Sequence, residues 1–230
     1  MKSTQEAKKL AQQGYDALLK GDLEKAITNF NKALKLDPKD IPTYFNRAYA
    51  YEQKGDLDQA IADYGKVVKL NPKEFRAYSN RGVAYCRKGE YDKGIADFTR
   101  VIQLMPNDVK GYGSRAFAYV HLRDYNHALI DYSKAIQLDP KHTNGYLSRG
   151  NVYSEQGDFD RALADFNRAL QLDPKNAKAY HNRGVVWFRK KDYDKAWADV
   201  KHSRDAGEPP DPRFIQDLEQ ASGKRDPGGS

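Results

Sequence analysis

The residue types that usually carry catalysis or bind metal ions are scattered through this sequence without the spacing that such chemistry needs. The five histidines show no pattern such as His-Glu-x-x-His, which would place two metal ligands on one helix face. They are His121, His127, His142, His181 and His202. The single cysteine, Cys86, has no His and acidic partner at matched positions, so we do not expect a nucleophile.

A phosphate-binding loop is also missing, because Gly111-Tyr112-Gly113 is not followed by Gly-Lys-Ser/Thr. Without any set of residues in complementary catalytic roles, we predict that the protein is not an enzyme. We likewise predict no metal site and no cofactor.

Composition favours an elongated protein with an acidic partner. Only 39% of the 230 residues are hydrophobic, yet 16 are Tyr and 9 are Phe, which suits a thin core beneath a large wet surface. The formal net charge is +7, which favours acidic partners. Because Lys and Arg are spread along the whole chain, nucleic acid is not the expected partner.

The sequence contains no candidate membrane segment. No run approaches the roughly 18 apolar residues of a membrane span, and the first residues, Met1-Lys2-Ser3-Thr4-Gln5-Glu6, form no apolar signal region. We therefore expect a cytoplasmic protein that does not enter a membrane. A periplasmic or anchored parent protein stays open as an alternative.

Arginine and aspartate form two regular rows that could either bind anions or pair with each other. The arginines are Arg47, Arg81, Arg115, Arg149 and Arg183, and the aspartates, 16 residues further on, are Asp63, Asp97, Asp131, Asp165 and Asp199. In the first unit both rows turn neutral together, at Gln13 and Asn29. This shared change favours an Arg–Asp ladder of exposed pairs, in which Asp131→Asn would destabilise little. An anion-binding Arg row is the alternative.

The elements that position these side chains follow from a 34-residue repeat. Proline recurs at this step, and so do two aromatic rows and a row of small residues. The prolines are Pro38, Pro72, Pro106, Pro140 and Pro174. The aromatic rows run from Tyr44 to Tyr180 and from Tyr51 to Trp187, and the small residues run from Ala26 to Ala196. Such a period indicates stacked supersecondary units.

One unit, residues 41–74, shows how each repeat folds. Tyr44, Ala48 and Tyr51 share one face of a first helix, and Ala60, Tyr64 and Val67 share one face of a second. Gly55 is suited to end the first helix and Asp56 to cap the second. Because Asn71 precedes Pro72, the second helix is expected to stop there. Each repeat is therefore a helical hairpin that buries its apolar faces only when stacked on its neighbours.

These rows resemble the tetratricopeptide repeat (TPR) family, over residues 4–206 and on the pattern Tyr44, Ala48, Tyr51, Ala60, Tyr64 and Pro72. The runs Asn80-Arg81-Gly82, Ser148-Arg149-Gly150 and Asn182-Arg183-Gly184 resemble bacterial members. The resemblance implies an all-α solenoid of helix pairs wound into a right-handed superhelix. It also implies a concave, peptide-binding face that is lined by the first helices.

The predicted organisation is six repeats, a capping helix and a tail. The repeats are about 7–40, 41–74, 75–108, 109–142, 143–176 and 177–208. The last unit loses the pattern, with Val200, Ser203 and Glu208 in place of the ring, small residue and Pro. Residues 211–221 are predicted to be a capping helix that starts at Asp211-Pro212, and 222–230 a disordered tail. In the alternative function, self-assembly, the Phe214–Leu218 segment would pair two copies into a homodimer.

We predict that the concave face binds an extended peptide of a partner protein, acidic or with its C-terminal carboxylate. The candidate residues lie on first helices outside the core rows: Tyr15, Phe45, Asn46, Tyr49, Arg76, Asn80, Lys110, Ser114, Phe117, Asn151 and Asn182. Asn can bond both backbone groups of a peptide, cationic side chains can hold carboxylates, and aromatic rings offer apolar contact area. Lys8, Arg87, Lys178 and Arg189 are expected at its rims, against Glu155.

A subset of TPR proteins clamps the C-terminal carboxylate of Hsp70 or Hsp90 with Lys and Asn on one first helix, Asn on the next, and Lys and Arg on the third. This sequence departs from that pattern. One window offers Ala11 and Tyr15, then Asn46, then Arg76 and Asn80; the next offers Phe45 and Tyr49, then Asn80, then Lys110 and Ser114. We therefore do not predict a chaperone clamp.

Overall fold

The computed structural model describes residues 2–209, 211–226 and 228. Within these residues the regular structure is entirely helical, as predicted. The first helices of the repeats are α1 Lys2–Leu19, α3 Ile41–Lys54, α5 Phe75–Arg87, α7 Val109–His121, α9 Thr143–Glu155 and α11 Ala177–Arg189. The second helices are α2 Leu23–Leu36, α4 Leu57–Leu70, α6 Tyr91–Leu104, α8 Tyr125–Leu138, α10 Phe159–Leu172 and α12 Tyr193–Asp205, and α13 Pro212–Ser222 follows them.

The chain divides into two compact units. The N-terminal unit ends at Leu122 and holds α1 to α7, while the C-terminal unit starts at Arg123 and holds α8 to α13. Within each unit every second helix packs against the first helix of the next repeat, for example α2 against α3 and α10 against α11. The helical repeat solenoid is thereby confirmed; the right-handed superhelix and the exact repeat boundaries stay predictions.

The turn inside each hairpin explains where its helices end. Gly55 closes α3 in the left-handed conformation, with φ of 89°, as predicted. Asp56 is the N-cap residue of α4, but its side chain accepts no hydrogen bond there, whereas the Asp22 side chain accepts from the Lys25 amide. Helix α4 stops at Leu70, directly before Asn71-Pro72. The stop signals were therefore predicted more accurately than the capping bonds.

Small residues and rings pack against each other between the two helices of a hairpin. A Cβ atom added to Gly82 would lie 2.8 Å from the Phe98 ring, and one added to Gly150 would lie 2.7 Å from Phe166. Glycine precedes each Phe of this row by 16 residues, whereas alanine precedes each Tyr: Gly14, Ala48, Gly82, Ala116 and Gly150 precede Phe30, Tyr64, Phe98, Tyr132 and Phe166. The alanine methyl therefore excludes a ring from the place that Phe98 takes over Gly82.

Helix α13 continues the repeat frame into a seventh position. Phe214 lies one 34-residue step after Tyr180, and Leu218 lies the same step after Gly184. Both side chains are buried, and the Phe214 ring contacts Phe188 at 5.8 Å between centroids. Since Leu218 fills the place of the usual small residue, α13 covers the last hairpin without offering a groove for another ring.

The segment predicted as a disordered tail, 222–230, begins with residues that contact the C-terminal unit. Ser222 belongs to α13, and its hydroxyl accepts a hydrogen bond from the Trp197 indole at 3.1 Å. Arg204 donates to Asp226 at 2.6 Å, and Lys224 pairs with Asp194. Pro227, Gly229 and Ser230 lie outside the described residues.

Candidate functional site

The Arg and Asp rows meet as a ladder inside each unit. In four pairs, both oxygens of the aspartate accept from the arginine 16 residues earlier, at 2.6–2.9 Å. These pairs are Arg47–Asp63, Arg81–Asp97, Arg149–Asp165 and Arg183–Asp199. Of the remaining two residues in these rows, Arg115 belongs to the N-terminal unit and Asp131 to the C-terminal unit. The paired arginines are engaged within the fold, which favours the ladder over anion binding.

The ladder is more buried than the sequence indicated. The aspartates are 2–5% exposed, so the expectation of exposed pairs is wrong, and with it the reason to expect a small effect for Asp131→Asn. Burial raises the pKa of Asp97 above its usual range, although the hydrogen bonds from Arg81 oppose that rise. Removing one partner would leave a buried charge alone, which is far costlier than losing a surface pair.

Four of the five arginines also donate a hydrogen bond to a side chain of the preceding second helix. The Nη1 atom of Arg47 donates to Asn31 at 2.5 Å, and that of Arg183 donates to Asn167 at 2.6 Å. The Nη1 atoms of Arg115 and Arg149 donate to hydroxyl oxygens at the equivalent position, on Thr99 and Ser133. Opposite Arg81 this position is a glycine, Gly65. The ladder therefore joins consecutive repeats as well as the two helices of one repeat.

In the N-terminal unit, three candidate residues come together around Tyr64. The Phe45 ring contacts the Tyr64 ring at 5.5 Å between centroids, and the Arg76 guanidinium lies 5.9 Å from the Phe45 centroid. The Asn80 amide donates to the Tyr64 hydroxyl at 3.2 Å. Burial raises the pKa of Tyr64 far above its usual range, so this hydroxyl stays protonated.

The Tyr64 hydroxyl donates in turn to Glu52, at 3.1 Å from Oε2. Glu52 also lies 3.5 Å from Arg87, and Arg76 pairs with Glu74 at 3.0 Å. Two of the basic side chains expected on this face are thus already neutralised by carboxylates. With one amide N–H of Asn80 engaged, its carbonyl oxygen remains as an acceptor, which suits a backbone N–H better than a carboxylate.

Other candidates in this unit keep their polar groups available. Among the described residues, none forms a hydrogen bond or an ion pair with the side chain of Asn46 or Lys110. Ser114 is half-buried on α7, and the neighbouring Phe117 ring is exposed but contacts His121 at 4.4 Å. Tyr15 and Tyr49 are exposed on α1 and α3. These residues share the outward side of the first helices, which we call the first-helix face.

In the C-terminal unit, Asn151 and Asn182 are hydrogen-bonded to each other. The Asn182 amide donates to the Asn151 carbonyl oxygen at 2.7 Å, which joins α9 to α11. Both residues line two neighbouring cavities of about 330 and 300 Å³, and His181 lines both as well. Arg189 borders the first cavity with Glu155 at 4.0 Å, and Lys178 borders the second. The amide pair therefore sits in a polar recess of the right size for a short peptide segment.

Sequence reasoning missed the hydrogen bonds by which the Tyr64 hydroxyl, on α4, reaches Asn80 and Glu52 on the first helices. Tyr64 is predicted on a core face with Ala60 and Val67, and it is buried, yet a buried Tyr needs a partner for its hydroxyl. The alternation of Tyr with Phe along its 34-residue row is the available signal. Glu52 occupies a position where other repeats carry unlike residues, so no row marks it.

Cys86 lies on α5 and is buried. Burial raises the pKa of Cys86 to about 11, so the thiol is protonated at neutral pH and is a poor nucleophile.

Within residues 2–209, 211–226 and 228, no cluster of three or more His, Cys, Asp or Glu side chains is placed to hold a metal ion. In that same part of the chain, no helix combines the length and apolar character required to cross a membrane.

Comparison with protein families assigns the repeats. A TPR repeat model matches residues 14–55, 50–89 and 150–191, and tetratricopeptide repeat models match 75–108, 109–142 and 132–164. Together with the helical repeats and the first-helix face, these matches define a protein-interaction scaffold. The chain belongs to the tetratricopeptide repeat family.

Three solved structures with the same fold align with this chain over nearly their whole length. A crystal structure of MamA is 28% identical, with a TM-score of 0.71, over 77% of this chain and 96% of MamA. PilF of Pseudomonas aeruginosa is 15% identical, with a TM-score of 0.72, over 97% and 99%. YrrB, described as a TPR protein with an unusual peptide-binding site, is 23% identical, with a TM-score of 0.65, over 85% and 98%. No curated protein sequence matches significantly.

Proposed function

We propose that this chain is an adaptor that binds an extended segment of a partner protein, acidic or with a C-terminal carboxylate, on its first-helix faces. The observation that carries the proposal is the presence there of unengaged polar groups beside exposed rings, in particular Asn46 and Lys110 in the N-terminal unit. A peptide backbone needs donors and acceptors, and an acidic group needs a cation. The described peptide-binding site of YrrB, a protein of the same fold, is in keeping with this proposal.

The structure refines which candidates are expected to matter. Asn46 and Lys110 are free to meet a ligand, whereas Arg76 is shared with Glu74 and Asn80 with Tyr64. The hydrogen bond between Asn151 and Asn182 does not use the Asn151 amide N–H groups or the Asn182 carbonyl oxygen. We expect these groups to bind a backbone amide of the ligand. The remaining candidates, Tyr15, Phe45, Tyr49, Ser114 and Phe117, provide contact area and shape.

The test is direct binding of a panel of acidic peptides, each prepared as a free C-terminal acid and as an amide, followed by fluorescence anisotropy. Asn46→Ala/Lys110→Ala should weaken binding about tenfold or more, since a charge-assisted hydrogen bond is lost. The control, Lys66→Ala/Lys69→Ala on α4, removes two exposed lysines from a second helix and should change little. Weaker binding of the amides would identify the carboxylate as the recognised group. Equal affinity of both variants would contradict the proposal.

Self-assembly through α13 has less support. Phe214 and Leu218 are buried against their own chain, so they are not available to pair two copies. Deleting residues 209–230 should therefore lower the stability of α11 and α12, and sedimentation should show no change in oligomeric state. A dimer that is lost while folding is retained would reinstate the alternative.

A further inference from the structure

One row of the first-helix face in the N-terminal unit is apolar and exposed in every repeat. Tyr15, Tyr49, Val83 and Phe117 follow one another at the 34-residue step and are 41%, 42%, 38% and 48% exposed. We call these four residues the apolar stripe. The same step leads next to Asn151, in the C-terminal unit, where the row becomes polar. Core packing does not require an apolar residue at this position, because a third or more of each side chain meets solvent.

The surroundings of the apolar stripe are basic. Lys8, Arg76 and Lys110 lie seven residues before Tyr15, Val83 and Phe117, which places them two turns away on the same helix face. Among the described residues, none pairs with Lys8 or Lys110. The sequence of this unit, residues 1–122, holds 21 Lys and Arg against 15 Asp and Glu, a net charge of +6. Charge complementarity therefore points to an acidic occupant.

The spacing of the apolar stripe limits the conformation of that occupant. Helix α1 contacts α3, and α5 contacts α7; the axes of helices in contact lie about 10 Å apart. Three residues of a polyproline II segment advance about 9 Å and return to the same face. In a β-strand, side chains of one face recur about every 7 Å, which does not match one contact per repeat.

We propose that the apolar stripe docks an extended, acidic segment of a partner protein that carries an apolar side chain at every third residue, in polyproline II conformation. This inference rests on the proposed peptide-binding function and specifies its ligand for the N-terminal unit. One apolar side chain meets each stripe residue, and acidic side chains between them face Lys8 and Lys110.

The probe is a peptide of four Leu-Pro-Glu units, compared with a peptide of the same composition in shuffled order and with a Leu-Pro-Gln version. Titration calorimetry or anisotropy on the full chain gives the affinities. The ordered peptide should bind about tenfold more tightly than the shuffled one, because only its spacing matches the repeats. It should also exceed the Gln version, with a difference that shrinks as salt rises. Equal affinity of the ordered and shuffled peptides would overturn the proposal.

Variants locate the binding. Tyr49→Ser/Phe117→Ser should weaken the ordered peptide about thirtyfold, as expected for two aromatic contacts at an interface. The matched control is Leu36→Ser/Leu70→Ser, since these leucines are similarly exposed, at 43% and 39%, but lie at the ends of second helices; it should bind normally. Because Phe117 contacts His121, circular dichroism should confirm folding, and the charge reversal Lys110→Glu gives an independent loss of affinity.

The outcomes separate this inference from the proposed function. Peptide binding that survives Tyr49→Ser/Phe117→Ser but is lost in Asn151→Ala/Asn182→Ala would refute the stripe and retain a peptide-binding adaptor. If neither the repeated peptide nor the acidic panel binds, both proposals are wrong.

Discussion

The two units of this protein share one internal frame and differ in the surface that the frame presents. In both units the Arg–Asp ladder joins the helices, and a Phe ring lies over a glycine, at Phe98 and Gly82 in one and Phe166 and Gly150 in the other. The N-terminal unit carries a net charge of +6 and the apolar stripe. The C-terminal unit, with 18 Lys and Arg against 17 Asp and Glu, is nearly neutral and carries the Asn151–Asn182 pair.

This difference shows which positions of a repeat are constrained. The rows that face the partner helix are held by packing, because a change of one methyl group alters contacts on both helices. The exposed positions of the first helices carry no such constraint, so neighbouring repeats can present Phe117 and then Asn151. Binding chemistry can therefore change along a single chain while the fold stays the same.

The largest effect is expected from breaking the ladder, which should lower the stability of both units by a similar amount. Asp97→Ala and Asp165→Ala each remove a buried carboxylate and leave a half-buried arginine without its partner, and each should lower the free energy of unfolding by about 3–5 kcal/mol. Asp160→Ala is the control, since Asp160 pairs with Lys190 at 2.6 Å but is 87% exposed, and it should cost less than about 1 kcal/mol. Urea denaturation measures all three. A cost confined to one unit would contradict the shared frame.

An intermediate effect is expected from adding a methyl group to helix glycines, and its sign should depend on the facing residue. Gly82→Ala and Gly150→Ala push a Cβ atom into Phe98 and Phe166 and should destabilise by about 1–3 kcal/mol. Gly65→Ala should instead stabilise by about 1 kcal/mol, because its Cβ would meet only Arg81 Nη1, at 3.6 Å.

Thermal melts of these variants, with the same folded spectrum at low temperature, provide the measurement. If Gly65→Ala destabilises the protein as much as Gly82→Ala does, the stability change would be caused by the loss of glycine itself and not by a clash with the facing ring.

The smallest effect concerns the hairpin turns, where the units also differ. The N-terminal unit has Gly21, Gly55 and Gly89 at its left-handed turn positions, whereas the C-terminal unit has Arg123 and Lys191, with φ of 58° and 63°, at two of its own. Lys191→Gly should raise stability by about 0.5–1 kcal/mol, because glycine adopts this conformation without strain. Gly157→Ala, at φ of 79°, is the reciprocal change and should lower stability in the same melting experiment.

Much of the architecture could be read from the sequence because it is periodic. A 34-residue step, glycine at Gly55 and proline at Pro72 mark local events, namely a left-handed turn and a helix stop, which depend on the residues themselves. The pairing of Arg and Asp was also accessible, since both rows become neutral in the first repeat. The contribution of these pairs to stability could not be predicted from the sequence, because the burial of each aspartate depends on the repeats stacked around it.

The sequence by itself determined the repeat, the helix faces and the set of first-helix residues that avoid the core. Only the tertiary structure decided which of those residues are free, because side chains far apart in the chain compete for the same hydrogen bonds. Tyr64 engages Asn80 and Glu52, and Asn151 engages Asn182, whereas Asn46 and Lys110 keep their groups for a ligand. A repeat pattern specifies where each residue stands on its helix, but its partner is set by how neighbouring helices pack.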